Sequence, residues 1–216
     1  MKISHPENID INSMKTLIFD WGGVITHIDP PAALKALQKL GIENAQEYFE
    51  PGPRVELFYQ LEQGSVSPEE VSDQLNKANH THIDHKLLEN AYCRMLGDTP
   101  PIRIQLLRNL RPHFTLCLLS NTNIIHTRYY TGILRKEFHT DFSSLFHKLF
   151  YSYELGLRKP GSEIFKKVIE ENRIDSKSAM FLDDTKTNID TARSLGIPSI
   201  HINEDDTIEE IFHEWL

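Results

Sequence analysis

Five short apolar runs punctuate the chain: Thr16 to Phe19, Phe114 to Leu119, Lys148 to Tyr151, Ala179 to Leu182 and Ser199 to Ile202. They are continuous rather than alternating, which is how strands read when both faces of a parallel sheet are covered. Helical patterning separates most of them, at Ile102 to Leu110, Ser162 to Glu171 and Thr187 to Leu195. Gly196 and Pro198 are placed to stop the last of these helices. Strands that alternate with helices predict an α/β fold, a doubly wound, Rossmann-like parallel sheet.

The stretch 31–97 breaks this rhythm. It contains no convincing strand, and its apolar residues recur at helical spacing, as in Leu34, Leu37, Leu40 and then Val55, Phe58, Leu61. Ser67-Pro68-Glu69-Glu70 has the form of a helix start, with Ser67 as N-cap and Pro68 in the first turn. The expected organisation is an α/β core of residues 14–30 and 98–216, an inserted helical cap at 31–97, and an N-terminal arm at 1–13. The polar opening of that arm predicts no secretory leader, and Met14 offers an alternative start.

Composition narrows the class. With 39% apolar and 25% charged residues among 216, the chain has an ordinary globular balance. A net charge of −8 argues against nucleic acid or an anionic membrane as partner, and no apolar run is long enough for a membrane span. A phosphate ester would need a local cation or backbone amides. The two cysteines, Cys93 and Cys117, sit among apolar neighbours and read as reduced core thiols of a cytoplasmic protein. None of the eleven histidines forms a convincing metal-ligand pair, and most are expected on solvated or half-buried positions. His27, near the expected site mouth, keeps a minor functional reading.

Ligands of open α/β sheets bind beyond the carboxyl ends of the strands, at the switch point. The polar residues that end the apolar runs are therefore the candidates: Asp20, Ser120-Asn121 and Asp183-Asp184, with Lys159 following Gly156-Leu157-Arg158. A nucleophilic acid, a hydroxyl with an amide, a lysine and an acidic pair match the needs of phosphoryl transfer. Each has a plainer reading. Asp20 could simply end a strand, Ser120-Asn121 could cap a helix, Asp183-Asp184 could be a solvated turn, and Lys159 could be a surface solubiliser. Arg158 is assigned to the surface, or at most to substrate.

Taken together, Phe19-Asp20-Trp21-Gly22-Gly23-Val24, Leu119-Ser120-Asn121-Thr122-Asn123, Arg158-Lys159-Pro160 and Phe181-Leu182-Asp183-Asp184 resemble, in order and spacing, the four motifs of the haloacid dehalogenase-like (HAD) hydrolases. The likeness runs from Lys15 onward. It is greatest to the helical-cap phosphatase branch, which contains sugar-1-phosphate phosphatases such as α-D-glucose-1-phosphate phosphatase and the N-terminal phosphatase domain of soluble epoxide hydrolase. The resemblance implies a phosphatase of small phosphorylated metabolites that forms an aspartyl-phosphate on Asp20. It implies Mg²⁺ held by the Asp20 carboxylate, the Gly22 carbonyl and Asp184. Phosphoryl oxygens would meet Ser120, the Asn121 amide and Lys159. Asp183 would support the metal from behind, or ligate it directly.

Two departures qualify the likeness. Gly22 stands where the family usually has a second acid that protonates the leaving group, help worth roughly 10²–10⁴-fold. Asn188 stands where many relatives have another acid, and would bridge to metal-bound water. The missing acid also admits a metal-free 2-haloacid dehalogenase, although Asp183-Asp184 argues for the phosphatase. A catalytically weak binding protein on the same scaffold is the third reading.

Overall fold

Five parallel strands form one sheet in the order β3-β2-β1-β4-β5 in the computed structural model, which describes residues 9–203 and 206–216. They are β1 (Thr16–Phe19), β2 (Thr115–Ser120), β3 (Lys148–Tyr151), β4 (Ala179–Asp183) and β5 (Ser199–His201). The chain builds outward from β1 to β3 on one side and returns to add β4 and β5 on the other. The switch point therefore lies at β1. Phe19 pairs with Leu118 on one flank and Leu182 on the other, so Asp20 emerges beside the ends of β2 and β4.

Alternate residues of the central strands feed two cores. Leu17, Phe19, Leu116, Leu118, Met180 and Leu182 belong to one, and Ile18, Cys117, Leu119 and Phe181 to the other. Burial on both faces explains the unbroken apolar runs. Each such side chain contributes roughly 1.5–3 kcal/mol when fully buried.

Helices cover both faces. In chain order they are α1 (Pro30–Lys39), α2 (Glu56–Glu62), α3 (Pro68–Asn79), α4 (His85–Tyr92), α5 (Pro101–Leu110), α6 (Ile124–Phe138), α7 (Phe142–Leu145), α8 (Ser152–Leu155), α9 (Ser162–Asn172), α10 (Lys186–Ser194) and α11 (Ile208–Ile211). The second core is closed by Ile164, Phe165 and Val168 of α9 and by Ile189 and Ala192 of α10.

Helices α1 to α4 lie between β1 and α5, where the described residues contain no named strand. The chain leaves and returns along paired segments. Ile28 bridges Leu96 antiparallel, Gly97 N–H donates to His27 O at 2.9 Å, and His27 N–H donates to Asp98 O at 3.0 Å. Helix α1 starts at Pro30, capped by Asp29, one residue ahead of the expected boundary. Helix α3 starts as expected, in a full capping box: Glu70 N–H donates to Ser67 Oγ at 3.1 Å, and Ser67 N–H donates to Glu70 Oε2 at 2.7 Å.

Two expectations need correction here. The longest helix, α6, has no counterpart in the sequence pattern, because Thr127, Tyr129, Tyr130, Thr131 and Gly132 are all weak helix formers. It forms because Asn123 Oδ1 accepts from the Ile125 and His126 amides at 3.1 Å and because Ile125, Tyr130 and Leu134 are buried. The helix cap is thus Asn123, not Ser120 or Asn121. The expected arm is also only partly an arm. Residues 1–8 lie outside the described residues, while Ile9 and Ile11 pack against the first core.

Candidate active site

The end of β1 is the start of the site. Asp20 is 9% exposed, and its Oδ1 accepts the Trp21 N–H at 2.7 Å. The chain then turns tightly, with Thr26 N–H donating to Trp21 O at 3.0 Å and Gly23 N–H donating to Thr26 O at 2.9 Å. Gly23 sits at φ +72°, and a Cβ there would fall 2.1 Å from Asp184 Oδ2. The left-handed backbone there favours glycine, and the Asp184 carboxylate occupies the space a side chain would take. The sequence reading gave Gly23 no role, although two consecutive glycines after a strand were its signal.

Lys159 is 1% exposed, which rejects its reading as a surface lysine. Its Nζ lies 2.6 Å from Asp183 Oδ2 and 3.0 Å from Asp20 Oδ2, and donates to Leu119 O at 2.9 Å. Two of the ammonium's three protons go to Asp183 and the Leu119 carbonyl, and its charge also pairs with Asp20. The lysine backbone is held equally firmly. Asn121 Nδ2 donates to Lys159 O and Lys159 N–H donates to Asn121 Oδ1, both at 2.8 Å. Asn121 therefore clamps the lysine peptide with its side chain, a contact that the sequence gave no means to foresee.

Asp183 is fully buried and committed. Oδ1 accepts from Thr185 N–H at 2.8 Å and Asn188 Nδ2 at 2.9 Å, while Oδ2 receives Lys159. Asn188, expected to bridge to metal-bound water, donates its amide N–H to both Asp183 oxygens, at 2.9 and 3.1 Å. Asp184 is exposed and faces a cavity of about 770 Å³ lined by Gly23, His27, Ile28, His201 and Asn203, among others. His27 is exposed, with Nδ1 2.9 Å from Asp98 Oδ1. Ser120 is buried at the end of β2, where it lines a small cleft with Trp21 and Thr122. The Thr122 N–H and carbonyl both bond Ser152 Oγ, at 2.9 and 3.0 Å, which anchors this loop to α8.

One further expectation fails. Arg158 is not a free surface residue: two of its N–H groups meet Glu62 Oε2, at 3.1 and 2.8 Å. The described histidines are exposed or half-buried, as expected of most of them, except His126: it is buried against Tyr92, ring centroids 4.3 Å apart, and burial pushes its pKa down to about 3.

Asp20, Asp183 and Asp184 each place a carboxylate oxygen within 4.8 Å of the others. Burial pushes the Asp20 carboxyl up to about 7, with Asp183 and Asp184 adding to the shift and Lys159 opposing it. Asp184 is raised as well, by burial and then by Asp183. Burial works against the Lys159 ammonium, but Asp20 and Asp183 outweigh it and raise its pKa. Three carboxylates around one ammonium leave excess negative charge, and the donors are hard oxygens. This set fits a divalent cation such as Mg²⁺.

Fold and site thus define an α/β protein with a buried carboxylate–lysine pair and an oxygen-donor cation site at the switch point. The chain belongs to the haloacid dehalogenase-like hydrolases, whose family pattern matches residues 14–196. It is 29% identical over 186 residues to the D-ribitol-5-phosphate phosphatase of Bacteroides thetaiotaomicron, covering 85% of this chain and 89% of that one. It is 25% identical to the sesquiterpene phosphatase astK of Aspergillus oryzae, covering 89% and 91%. Among solved structures, the HAD family enzyme bt-2542 of Bacteroides thetaiotaomicron, in complex with magnesium and inorganic phosphate, superposes with a TM-score of 0.86. It is 30% identical, and the match covers 92% of this chain and 99% of that one.

The raised Asp20 pKa has a testable consequence. Asp20 holds its proton more tightly folded than unfolded, so without metal the fold loses stability as pH rises from 3.8 to about 7. Above that the loss is complete, on the order of a few kcal/mol. In chelator at pH 8, Asp20→Asn should therefore be more stable than the wild type in urea denaturation, with the gap closing toward pH 4. Mg²⁺ should stabilise the wild type more than the variant. Parallel pH curves for the two proteins would contradict the charge imbalance.

Proposed function

We propose that this hydrolase removes phosphate from a small phosphorylated metabolite, such as a sugar or polyol phosphate, in a Mg²⁺-dependent reaction with Asp20 as nucleophile. The observation that carries this reading is the Asp20–Lys159–Asp183 group at the switch point, with Asp184 open to the adjoining cavity. Residues 14–30 and 98–216 serve as the catalytic core, and 31–97 as the cap. Two buried free thiols, Cys93 and Cys117, suit a reducing compartment such as the cytoplasm.

Asp20, the Gly22 carbonyl and Asp184 would hold the cation. Asp184 is the better ligand of the acidic pair, since the Asp183 oxygens are already taken by Lys159, Asn188 and Thr185. Mg²⁺ bound there offsets charge on the carboxylates and on the phosphoryl oxygens. Asp20 attacks phosphorus as the ester oxygen departs, which forms an aspartyl-phosphate. Lys159 neutralises charge shared between nucleophile and phosphoryl group, while Ser120 and the Asn121 amide bind phosphoryl oxygens. Water then attacks phosphorus, which releases phosphate and restores Asp20.

Asp20→Asn should abolish hydrolysis of phosphate monoesters while the protein stays folded. Chelator should stop the wild type and Mg²⁺ restore it, and Asp184→Ala should raise the Mg²⁺ requirement. Undiminished activity in excess chelator, with chloride released from a 2-chloro acid, would instead establish the dehalogenase reading. Binding of phosphate with no turnover of any ester would establish the silent scaffold.

The missing acid shapes substrate preference. A Cβ at Gly22 would lie 3.2 Å from Cγ1 and Cδ1 of Ile28, so that side chain crowds the place of the usual carboxylate. Leaving groups must then depart largely on their own acidity. A plot of log kcat/KM against leaving-group pKa should be steep for small esters, with aryl and anomeric sugar phosphates ahead of primary-alcohol phosphates. Each ~1.4 kcal/mol of barrier is tenfold in rate, so partial sensitivity is measurable. Gly22→Asp combined with Ile28→Val, which makes room for it, should flatten the plot. An unchanged slope would mean that the absent acid does not limit the enzyme.

A further inference from the structure

The segment that carries Lys159 is gripped by the helical insertion as well as by the core. Arg158 turns its guanidinium onto α2, where its carbon lies 3.8 Å from the centre of the Tyr59 ring. Its Nε and Nη2 converge on Glu62 Oε2, three residues further along the same helix. Positions three apart lie on one helix face, so a single face of α2 supplies both the carboxylate and the ring. Arginine suits this site because its planar fork can stack and donate at once.

The end of α2 also rests on the core backbone. Gly64 takes φ +68°, and a Cβ there would fall 2.2 Å from the Tyr153 carbonyl oxygen of α8. That close approach fixes the height of α2 above the segment leading to Arg158. Burial raises the Glu62 pKa, an effect that the Arg158 charge opposes, so the carboxylate depends on its partner. On the core side, Asn121 pins the very next peptide at both its N–H and its carbonyl. Arg158 and Lys159 are thus adjacent residues, one tied to the insertion and the other to the nucleophile.

We infer that Arg158 is a positioning residue: clasped by Glu62 and Tyr59 of α2, it transmits the seating of the insertion to Lys159 and so sets the ammonium against Asp20. Displacing a reacting group by about 1 Å can cost about 10²-fold in rate, and adjacent residues share one peptide link through which such a shift passes. The kinetic part of this inference rests on the phosphatase reading above.

The test compares wild type, Glu62→Gln, Arg158→Gln, Arg158→Lys and the Glu62→Gln/Arg158→Gln pair, with p-nitrophenyl phosphate and Mg²⁺ well below each melting temperature. Each glutamine variant should lose roughly 10- to 100-fold in kcat with KM little changed. The double variant should lose no more than the worse single one, since both break the same clasp. Arg158→Lys should recover part of the loss. Amide hydrogen exchange supplies a readout independent of turnover: Glu62→Gln should speed exchange across residues 156–161 and leave the sheet strands unchanged.

An unchanged kcat in Glu62→Gln, or losses that simply add, would overturn the clasp. So would a KM rise in Arg158→Gln with Glu62→Gln silent, which would make Arg158 a direct substrate contact. If Arg158→Gln does not fold, Glu62→Gln and Tyr59→Leu decide the kinetics. A wild type without phosphatase activity would refute the functional reading alone, because hydrogen exchange still decides whether α2 holds the Lys159 segment.

Discussion

One buried ammonium organises this end of the molecule. Lys159 carries a positive charge into an almost solvent-free position, which is tolerable only because two carboxylates and a strand-end carbonyl surround it. Those acceptors come from β1, β2 and β4, the three adjacent central strands of the sheet. The charge network therefore depends on sheet register, and in turn marks the switch point as the place where the chemistry sits. Removing the ammonium would leave buried carboxylates without a counter-charge in the interior, so the site is also a structural element of the fold.

The same network does not balance by itself. Three clustered carboxylates face one lysine, and Asp20 responds with a raised pKa. Under the proposal that Asp20 is the nucleophile, it must be ionised at neutral pH, a state that a further cation would favour. This links the electrostatics to a metal requirement without appeal to any single ligand. The division of labour in the acidic pair follows from bonding capacity. Asp183 is saturated and holds Lys159 in place, whereas Asp184 is exposed beside Gly23, with Oδ1 accepting from Thr185 Oγ1 at 3.3 Å.

Much of this was legible in the chain because strands covered on both faces read as unbroken apolar runs. The ends of β1 and β3 coincide with those runs, and the acids that close β1 and β4 are brought together around Lys159. What escaped reading depends on contacts distant in sequence. Helix α6 carries a run of poor helix formers from Tyr129 to Gly132 and is held by its Asn123 cap and by burial. Asn121 grips a peptide 38 residues away, and Arg158 finds its carboxylate 96 residues upstream. Neither pairing leaves a periodic trace, so Arg158 looked like any exposed arginine. Lys159 could be placed by motif but not by composition, since nothing local to Gly156-Leu157-Arg158 announces a buried charge.

The central claim is that Asp20 itself becomes phosphorylated. Its most direct test is an acid quench of the enzyme during single turnover of a reactive aryl phosphate with Mg²⁺, followed by peptide mass spectrometry. The account predicts a transient phosphoryl group on the peptide containing Asp20, formed before free phosphate appears and lost as phosphate is released. Phosphate release at full rate with no labelled Asp20 peptide, or with the phosphoryl group on another residue, would contradict it.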